Sequence, residues 1–488
     1  MTLPRPITVL CLASYFKGTR FLETCKNEGA TVILLTLEKI LKEDWPRDKI
    51  DEVFALPGST LAENRQAVIN AVSYLARTRQ IDRVVPLDDY DVEVAAMLRE
   101  HMRLPGMGET TVRYFRDKLA MREKAHDSGI RVPAFVQVLN HDRVREFLST
   151  VEGPWVLKPR GEAASLGIKR IHKAEEIWPI IEELGDKQSY FLVEKMIPGD
   201  VYHVDAITSE REIVFAEAHK YRRPILAITQ EGGVFGTRTL PRGSDEEKEL
   251  LAFHEKVIST LGLVRGVSHT EFIKSRADGQ FYFLETAARV GGAHIADHVD
   301  AESGVNLWEE WAKIEIRQGK WAYEPPKAPR KDYAGLLVSL AREEKPDTSA
   351  YTDPEIVWRM TGKSHHVGLI VRASTAEKVE QLMDKYEERI KHDFQAVMPP
   401  PERATALRER EDDVARTDAA RIRRGHRSDR SRLRRRSAAP CHGRRRGPER
   451  PRAPRRAVRW AAAGSRRRGG VRPREVARAG RPRRSRAA

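Results

Sequence analysis

Short apolar runs and amphipathic stretches alternate over the first hundred positions. Apolar runs at 7–14, 31–38 and 82–89 predict buried strands, and the spacing of apolar residues over 62–79 predicts a helix. Such alternation indicates a small parallel sheet covered by helices, so we predict a Rossmann-like domain over 1–104. No G-x-G-x-x-G follows the first strand, so the sequence does not indicate a dinucleotide site.

The pattern changes after LPGMG at 104–108. One helix is predicted over 110–128, and PWVLKP, RGEAASLG and IKRI predict a strand, a loop and the second strand of a hairpin. FLVEKMIPGD and VYHVDAI predict another strand pair, which turns at Pro198 and Gly199. A helix is predicted over 244–261. The fold class is therefore α/β followed by α+β.

A last α+β segment begins at Tyr333 and contains the apolar runs AGLLVSLA and HHVGLIVRA, followed by the helical stretch AEKVEQLMDKYEERIKH. The stretch PPKAPRK at 325–331 is interpreted as the connector that precedes this segment. The fold is predicted to end at MPPPER, residues 398–403.

The stretch HTEFIKSRADGQFYFLETAAR contains two alternating runs on either side of a turn signal. If Ala277, Asp278 and Gly279 form a three-residue loop with Gly279 in the left-handed position, Glu271 and Glu285 lie opposite each other on one face. A two-residue turn would place the two glutamates on opposite faces. Like charges across a strand pair are unfavourable unless a cation lies between them, and carboxylate oxygens suit Mg²⁺. From the register alone, a metal site and an exposed pair of solvated glutamates carry equal weight.

Charge is distributed unevenly along the 488 residues, whose total is +16. Residues 403–488 hold 31 Arg, no Lys and 8 acidic residues, so they carry +23 and the rest of the chain carries −7. This tail has one aromatic residue, Trp460, and cannot bury enough apolar surface, so we predict that it is disordered. An arm that binds nucleic acid or an anionic membrane is one interpretation. We favour an out-of-frame extension of a GC-rich gene, because Arg, Ala, Pro and Gly dominate and Lys is absent.

Cysteine usage and hydropathy restrict the compartment. Cys11, Cys25 and Cys441 are too few and too scattered for a disulfide framework or a cysteine-rich zinc site. The apolar run near the N-terminus is too short to span a bilayer and lacks a small-residue cleavage site, so it is interpreted as a buried strand. A reducing, cytoplasmic compartment is therefore expected, without a membrane partner.

Several cationic side chains suit a nucleotide. Lys158 lies on a predicted strand with apolar neighbours, where a lysine is rarely buried without a partner. Arg289, four residues after Glu285, suits the charge that develops on a transferring phosphoryl group, with a surface ion pair as the alternative. The small residues of GEAASLG suit close approach to phosphates, with a flexible hairpin tip as the alternative. Taken alone, Lys118 is interpreted as part of a solvated helix face.

Other polar residues receive structural interpretations. Asp88 and Asp89 end a predicted strand and are interpreted as solvated turn carboxylates rather than cleft residues. His294 and His298 have the spacing of a helical zinc pair, but Ile295 stands where a zinc-protease motif requires glutamate, which favours surface histidines. A weaker hypothesis places the HKY of AEAHKYRRP against an acceptor substrate.

In order and spacing, four motifs resemble those of the ATP-grasp superfamily. They are DKLAMREKAHDSGIRVP, WVLKPRGEAASLGI, FLVEKMIPGDVYHVDAI and TEF with FLETAAR. The resemblance covers about residues 1–395. It implies that ATP lies between two α+β subdomains, with Mg²⁺, or Mn²⁺ in its place, bridging the phosphates. It also implies that a carboxylate is phosphorylated to an acyl phosphate, which an amine or a thiol then displaces.

The resemblance implies roles in nucleotide binding. Lys118 and Lys158 match the lysines that contact ATP phosphates. Ser165 and Gly167 match the mobile lid, although this loop has fewer glycines than is usual in the superfamily. Val201 stands where an acidic residue often binds the ribose, so no ribose partner is assigned. The hinge that reads adenine, largely through backbone groups, corresponds to Glu194, Lys195, Met196 and Ile197.

The same resemblance assigns Glu271 and Glu285 to metal binding, and Arg289, with Lys158, to catalysis at the reacting phosphate. Many members read E-x-N-P-R at the second metal site, whereas Ala287 cannot coordinate a metal, which leaves the number of metal ions open. E-x-A-A-R followed by glycines resembles the branch of bacterial L-amino acid ligases. The next run, VGGAHIADH, lacks the Q-V-E-H of biotin carboxylases, which argues against bicarbonate as substrate.

The expected function is an ATP-dependent carboxylate–amine ligase. Its expected partners are small carboxylates and amines, amino acids among them, and a homodimer is compatible with the resemblance. Alternatives are a carboxylase or thiol ligase of the same superfamily, or a nucleic-acid-binding protein that acts through the Arg-rich tail. The expected architecture is a Rossmann-like domain at 1–104, an ATP-grasp domain at 105–324 with a lid subdomain at about 130–192, an α+β segment at 325–400 and a disordered tail at 401–488.

Overall fold

The computed structural model describes residues 5–162, 166–317 and 323–396, which belong to one compact unit. The Arg-rich stretch 401–488, which was predicted to be disordered, lies outside the described residues. None of the described helices is long and apolar enough to cross a lipid bilayer. The described strands form three sheets, which we call the N-terminal sheet, the lid sheet and the central sheet in chain order of their first strands.

The N-terminal sheet is parallel, and its strands alternate with helices along the chain. Its elements are β1 (Thr8–Ala13), α1 (Thr19–Asn27), β2 (Thr31–Leu37), β3 (Glu52–Leu56), α2 (Arg65–Leu75), β4 (Arg83–Pro86) and α3 (Val92–Met102). The strand order is β3-β2-β1-β4. Nearly every residue of β1 and β2 is buried, because parallel strands covered on both faces carry apolar residues in succession. The predicted Rossmann-like arrangement is confirmed.

The connection to the next sheet contains two helices, α4 (Glu109–Val112) and α5 (Lys118–Asp127), rather than the single helix predicted over 110–128. The break lies at Asp117, whose side chain accepts hydrogen bonds from two backbone N–H groups in the first turn of α5. An N-cap residue has extended backbone geometry and therefore interrupts a continuous helix. Lys118 is consequently the first residue of α5.

The lid sheet is antiparallel and has its own apolar core. Its elements are β5 (Phe135–Gln137), α6 (His141–Thr150), β6 (Trp155–Pro159), β7 (Lys169–Ile171), α7 (Ile177–Leu184) and β8 (Phe191–Lys195). The strand order is β5-β8-β6-β7. The predicted hairpin of β6 and β7 is confirmed, with Trp155 opposite Ile171. Both side chains are part of the core beneath the sheet, which also includes Leu157 and Val193.

The central sheet is antiparallel and joins the middle and the end of the described chain. Its elements are β9 (Gly199–Ser209), β10 (Glu212–Tyr221), α8 (Ile225–Glu231), β11 (Phe235–Thr239), α9 (Asp245–Leu261), β12 (Gly266–Ser275), β13 (Phe281–Ala287), α10 (Ile295–Ser303), α11 (Leu307–Arg317), β14 (Tyr333–Leu340), β15 (Ile356–Arg359), β16 (His366–Ala373) and α12 (Ala376–Asp393). The strand order is β13-β12-β9-β10-β11-β14-β16-β15. Helix α9 and the last α+β segment are as predicted, and β14 extends the sheet by pairing with β11. The four predicted domain boundaries stay predictions.

The predicted strand pair that turns at Pro198 and Gly199 is wrong. β8 pairs with β5 and β6 in the lid sheet, whereas β9 pairs with β10 and β12 in the central sheet. Residues 196–198 therefore carry the chain from one sheet to the other. A Pro-Gly step between two alternating runs is compatible with a hairpin and with a crossing between sheets, so the pattern alone does not distinguish them.

The turn of the β12–β13 hairpin has four residues, 276–279, instead of the predicted three. The Ser275 N–H donates a hydrogen bond to Gln280 O at 2.9 Å, and pairing continues from there along both strands. Gly279 has a φ of 70°, so its predicted left-handed conformation is confirmed. A four-residue turn alone would shift every later pair by one and place Glu285 on the opposite face of the hairpin.

A β-bulge at Leu284 compensates for the longer turn. Phe272 pairs with Phe283, yet Glu271 pairs with Glu285, so Leu284 is the extra residue of β13. Phe283 points into the core, while Leu284 and Glu285 both line the same cavity. The predicted opposition of Glu271 and Glu285 is therefore confirmed, but it arises because two departures from a regular hairpin cancel.

We expect Gly199→Ala to destabilise the protein, because β9 and β12 approach each other closely where β9 begins. A methyl group at Gly199 would collide with Lys274 O and lie 2.8 Å from Ile273 Cγ1. Overpacking of this kind costs about 1–3 kcal/mol, which can be measured by urea unfolding followed by circular dichroism. Gly161→Ala is the matched control, since a methyl group there meets nothing within 4 Å. The same unfolding midpoint in both variants would contradict the close approach.

Candidate active site

Two adjoining cavities lie where the predicted site residues meet. The first, which we call the lid cleft, has a volume of about 470 Å³ and is lined by residues of the lid and central sheets, including Lys158, Glu194 and Ile197. The second, which we call the side cavity, has a volume of about 350 Å³ and includes Asp89 and Arg289. The residues that line both are Lys118, Glu162, Ile225, Glu271 and Glu285.

The two opposed carboxylates lie at the boundary of these cavities. Lys118 Nζ is 2.9 Å from Glu285 Oε2, and Tyr221 OH donates a hydrogen bond to Glu271 Oε1 at 2.9 Å. Burial favours the neutral acid, but Lys118 and two further cations lower the pKa of Glu285 to about 2. The repulsion between the glutamates is thus relieved in part by a lysine from α5.

The donor set of this pair fits a divalent cation. Carboxylate oxygens are the ligands that Mg²⁺ prefers, and both side chains reach the cavity boundary. Glu271 Oε1 is held by Tyr221, whereas Glu271 Oε2 has no hydrogen-bond partner among the described residues. Ala287 also lines the side cavity and offers no side-chain ligand atom. The metal-binding roles of Glu271 and Glu285 stay predictions.

A buried ion triad supports the lid cleft. Lys158 Nζ lies 2.5 Å from Glu194 Oε1, and Arg122 Nε lies 3.0 Å from Glu194 Oε2. Arg122 also donates to the backbone carbonyl of Leu284, the bulge residue. Burial lowers the pKa of Lys158 to about 8, against the opposing effect of Glu194. Burial favours neutral Glu194, yet Arg122 and Lys158 keep the pKa of this carboxyl below its usual value.

The predicted hinge is the segment in which the chain passes between the sheets, and all four of its residues line the lid cleft. The Lys195 and Met196 N–H groups donate to backbone carbonyls at 2.8 and 2.9 Å. No hydrogen-bond partner is found for the Ile197 N–H within the described parts of the chain. The Glu194 side chain belongs to the triad instead of the hinge edge. The segment thus offers a backbone group to a ligand in the cleft.

The loop that follows β6 reaches both cavities. Of the two residues predicted for the mobile lid, Ser165 lies outside the described residues, and Gly167 precedes β7 with a φ of 71°. Glu162 O accepts a hydrogen bond from Lys118 Nζ at 2.6 Å, and the Glu162 carboxylate accepts one from Tyr90 OH at 3.1 Å. The loop is therefore attached to α5 and to the N-terminal part of the fold, and its mobility stays a prediction.

The interpretation of Asp88 and Asp89 as solvated turn carboxylates is wrong, because both are buried. Lys17 Nζ lies 2.5 Å from Asp88 Oδ2. Asp89 lies in the side cavity, where Arg116 donates to it at 2.7 Å and Arg289 Nε is 3.5 Å away. Burial opposes the charge of Arg289, but the carboxylates led by Asp89 raise the pKa of this guanidinium. Their place at the end of a parallel strand was the available signal, because ligands bind at that edge.

The two histidines with zinc-pair spacing do not form a pair. His294 is partly exposed, and its Nδ1 lies 2.8 Å from Asp297 Oδ2. His298 is fully buried, and its Nε2 lies 3.0 Å from Ala334 O, so the interpretation of His298 as a surface histidine is wrong. The fourfold spacing reflects successive turns at the start of α10 and carries no shared ligand.

The HKY run on β10 divides between three environments. His219 is buried, and its Nε2 lies 2.7 Å from Glu302 Oε1. Lys220 forms an ion pair with Asp200 at 2.8 Å. Tyr221 alone of the three lines the side cavity. The hypothesis that the run faces an acceptor substrate therefore applies, at most, to Tyr221.

Sequence reasoning missed three contributors to the site, Arg116, Arg122 and Glu162. Each lies in a charge-rich helix or loop, where composition does not single out one residue. A usable signal exists for Arg122, because it follows Lys118 by four positions and so lies on the same face of α5. The partners of Arg116 and Glu162 are distant in sequence, at Asp89 and Tyr90, and no local pattern identifies them.

We expect Glu194→Gln to destabilise the protein, because it leaves Lys158 and Arg122 buried without a counter-charge. Removal of one partner of a buried ion pair costs about 3–5 kcal/mol, which can be measured by urea unfolding. Asp142→Asn is the matched control, since it breaks an exposed pair with Arg145 at 2.7 Å, and such pairs contribute about 1 kcal/mol at most. If Glu194→Gln is as stable as the control, the triad does not hold the lid sheet in place.

Comparison with known proteins identifies the domain that carries these residues. Residues 151–297 match the model of the ATP-grasp domain. The L-arginine-specific L-amino acid ligase of Bacillus subtilis is 24% identical over 241 residues, which is 48% of this chain and 58% of that protein. The alanine–anticapsin ligase of Bacillus subtilis strain 168 is 22% identical over 264 residues, 50% of this chain and 55% of that protein. The chain spans little more than half the length of these relatives.

Solved structures resemble a larger part of the chain. The L-amino acid ligase from Bacillus licheniformis has a TM-score of 0.65 at 16% identity, over 82% of this chain and 100% of that one. The N5-carboxyaminoimidazole synthetase from Staphylococcus aureus has a TM-score of 0.60 at 16% identity, over 79% of this chain and 98% of that one. At such identities the likeness is one of fold. The expected superfamily is confirmed: residues 151–297 are an ATP-grasp domain, and the chain has the ATP-grasp fold.

Proposed function

We propose that the protein is an ATP-dependent carboxylate–amine ligase that forms an amide or peptide bond through an acyl phosphate. The observation that carries the proposal is the position of Glu271 and Glu285 at the boundary of two cavities. One cavity suits a nucleotide and the other suits the group that accepts its phosphate, so the reacting atoms meet at the glutamates. The amino acid ligases among the relatives support the same reaction class.

ATP is assigned to the lid cleft. The cleft has the volume of a small-molecule site, apolar walls and a backbone edge at Ile197 for a base. Lys118 and Lys158 supply positive charge for the phosphates. Glu271 and Glu285 would hold Mg²⁺, with Mn²⁺ as a substitute, and the bound ion would neutralise charge on the phosphate oxygens.

The chemistry then requires two displacements. A substrate carboxylate oxygen attacks the γ-phosphorus in line, the bond to the bridging oxygen breaks, and ADP leaves. An amine nitrogen next attacks the acyl carbon, phosphate leaves with the electrons of the C–O bond, and the nitrogen loses a proton. Lys158 and Arg289 stabilise charge on the two sides of the transferring group, and the site positions both reactants. The scheme needs no protein nucleophile.

The side cavity suits a small amino acid. The cations Arg116 and Arg289 can receive a carboxylate, and Asp89 between them can receive an ammonium group. A volume of about 350 Å³ leaves room for a side chain. The apolar part of the wall comes from Phe115, Met121, Ile225, Phe235 and Ile295. These walls favour an amino acid over bicarbonate, which has no apolar group to bury.

The ligase proposal is tested by screening pairs of L-amino acids, and then a wider panel of carboxylates, for ADP release with Mg²⁺. We expect at least one pair to give ADP and a condensed product. Glu285→Gln should lower that rate about 10²–10³-fold, since loss of a metal ligand removes several kcal/mol of charge stabilisation. Glu255→Gln, an exposed glutamate on α9, is the matched control with wild-type activity expected. No ADP from any combination would refute the ligase, and full activity of Glu285→Gln would refute the metal role.

Deletion of residues 403–488 separates the ligase from a protein that acts through its Arg-rich tail. We expect the truncated chain to keep the ADP-release rate of the full chain, because every cavity residue named above precedes the deletion. Binding of double-stranded DNA at low and high salt should be compared in parallel, since an arginine arm would show steep salt dependence. Loss of ADP release on truncation would contradict the assignment of the activity to the ATP-grasp fold.

A further inference from the structure

A group of buried polar side chains runs from Glu271 into the central sheet, and the proposed mechanism does not use it. We call this group the histidine cluster, and its members are His203, Asp205, His219, His269 and Glu302. All five are buried. The four that lie on β9, β10 and β12 occupy alternate positions of paired strands, so they share the sheet face that carries Glu271 and Tyr221.

Asp205 is at the centre of the cluster, and both of its oxygens are engaged. Asp205 Oδ1 lies 2.9 Å from His269 Nδ1, and Asp205 Oδ2 lies 2.6 Å from His203 Nδ1. His203 Nε2 lies 2.7 Å from Thr237 Oγ1 on β11. A buried carboxylate that is bonded at both oxygens has one orientation, so it also fixes the ring plane of His269.

The cluster meets the candidate active site through His269 and Tyr221. His269 Nε2 lies 3.4 Å from Tyr221 OH and 3.5 Å from Glu271 Oε1. Tyr221 OH donates to that same oxygen at 2.9 Å. One oxygen of Glu271 is therefore held by the protein, while the other has no hydrogen-bond partner in the described ranges and borders both cavities. This is the arrangement expected of a metal-binding carboxylate that is oriented from behind.

We propose that Asp205 is a positioning residue that acts through His269 and Tyr221 to orient Glu271 for binding a metal–nucleotide complex. The inference rests on the proposed function, because it requires a divalent cation at the two glutamates. Residues that support metal ligands in this way typically contribute about 10–100-fold to metal affinity or activity. The cluster is thereby assigned to the active site, although Asp205 itself touches neither cavity.

A role in stability alone, or a second metal site within the histidine cluster, accounts less well for its contacts. Buried charged groups can often be replaced by apolar residues of similar volume without loss of stability, so stability alone does not require the cluster. A second metal site at His203, Asp205 and His269 is disfavoured by the separations of 2.6 and 2.9 Å between the ligand atoms. At these distances a proton lies between two atoms, whereas two ligands of one tetrahedral ion are more than 3 Å apart, as two bonds of about 2.0–2.1 Å require.

The test is Mn²⁺ binding to the full chain in the presence of ADP, followed by the EPR signal of free Mn²⁺, without carboxylate or amine substrates. We expect Asp205→Asn to weaken Mn²⁺ binding about 10–100-fold. Tyr221→Phe, which removes the direct hydrogen bond to Glu271, should weaken it in the same direction. ADP binding without metal, measured by calorimetry, should stay at the wild-type value. Ser268→Ala is the matched control, because Ser268 is buried beside His269 on β12 but faces the other side of the sheet.

Each outcome decides between the inference and the ligase proposal. Wild-type Mn²⁺ affinity in folded Asp205→Asn and Tyr221→Phe would overturn the inference and leave the ligase intact. If Asp205→Asn does not fold, Tyr221→Phe decides by the same criterion. Stoichiometric zinc in the wild-type protein that is lost in Asp205→Asn would overturn the inference, because the cluster would then be a metal site of its own. Failure of the wild-type protein to bind Mn²⁺ with ADP would overturn both, whereas Mn²⁺ binding without any substrate turnover would refute the ligase alone.

Discussion

Two glutamates that face each other across one hairpin impose the constraint to which the surrounding structure responds. Like charges opposite each other destabilise a strand pair, and burial at a cavity strengthens the repulsion. Lys118 answers part of that charge at 2.9 Å, and the same ammonium group donates to the carbonyl of Glu162. The group that makes the carboxylate pair tolerable therefore also attaches the loop between β6 and β7, so the charge of the site and the position of its lid loop depend on one another.

The backbone of the site is supported by charge as well. A bulge removes one residue from the regular ladder, and its buried polar groups must find other partners. Arg122 supplies one of them by donating to Leu284 O, while its Nε group holds Glu194 at 3.0 Å. A single buried guanidinium thus connects the bulge that orients Glu285 to the strand that carries the hinge, and Lys158 completes the connection on the lid side. The ATP-binding surfaces of the two sheets share this ionic core.

The periodic elements of the fold were predictable from the sequence, because apolar spacing alone determines which face of a strand or helix is buried. The opposition of Glu271 and Glu285 was also predicted, although the turn length assumed for it was wrong and the bulge at Leu284 was not foreseen. A bulge leaves no mark in a run such as FYFLET, since it reflects how the strand packs. The crossing at 196–198 and the burial of Asp89 failed for the same reason. Their causes are partners from other elements, which no local pattern contains.

The bulge also separates two parts of the hairpin that tolerate changes in length differently. Packing of Phe272 against Phe283 in the core anchors the register below the bulge, so the exposed tip at 277–279 does not decide where Glu285 points. Inserted residues, a peptide tag or a fluorophore at the tip would leave the carboxylates in place. One residue gained or lost between 281 and 284 would instead turn Glu285 towards the core. Length variation among natural versions of this hairpin should therefore collect at its tip and be absent from the few residues before the second glutamate.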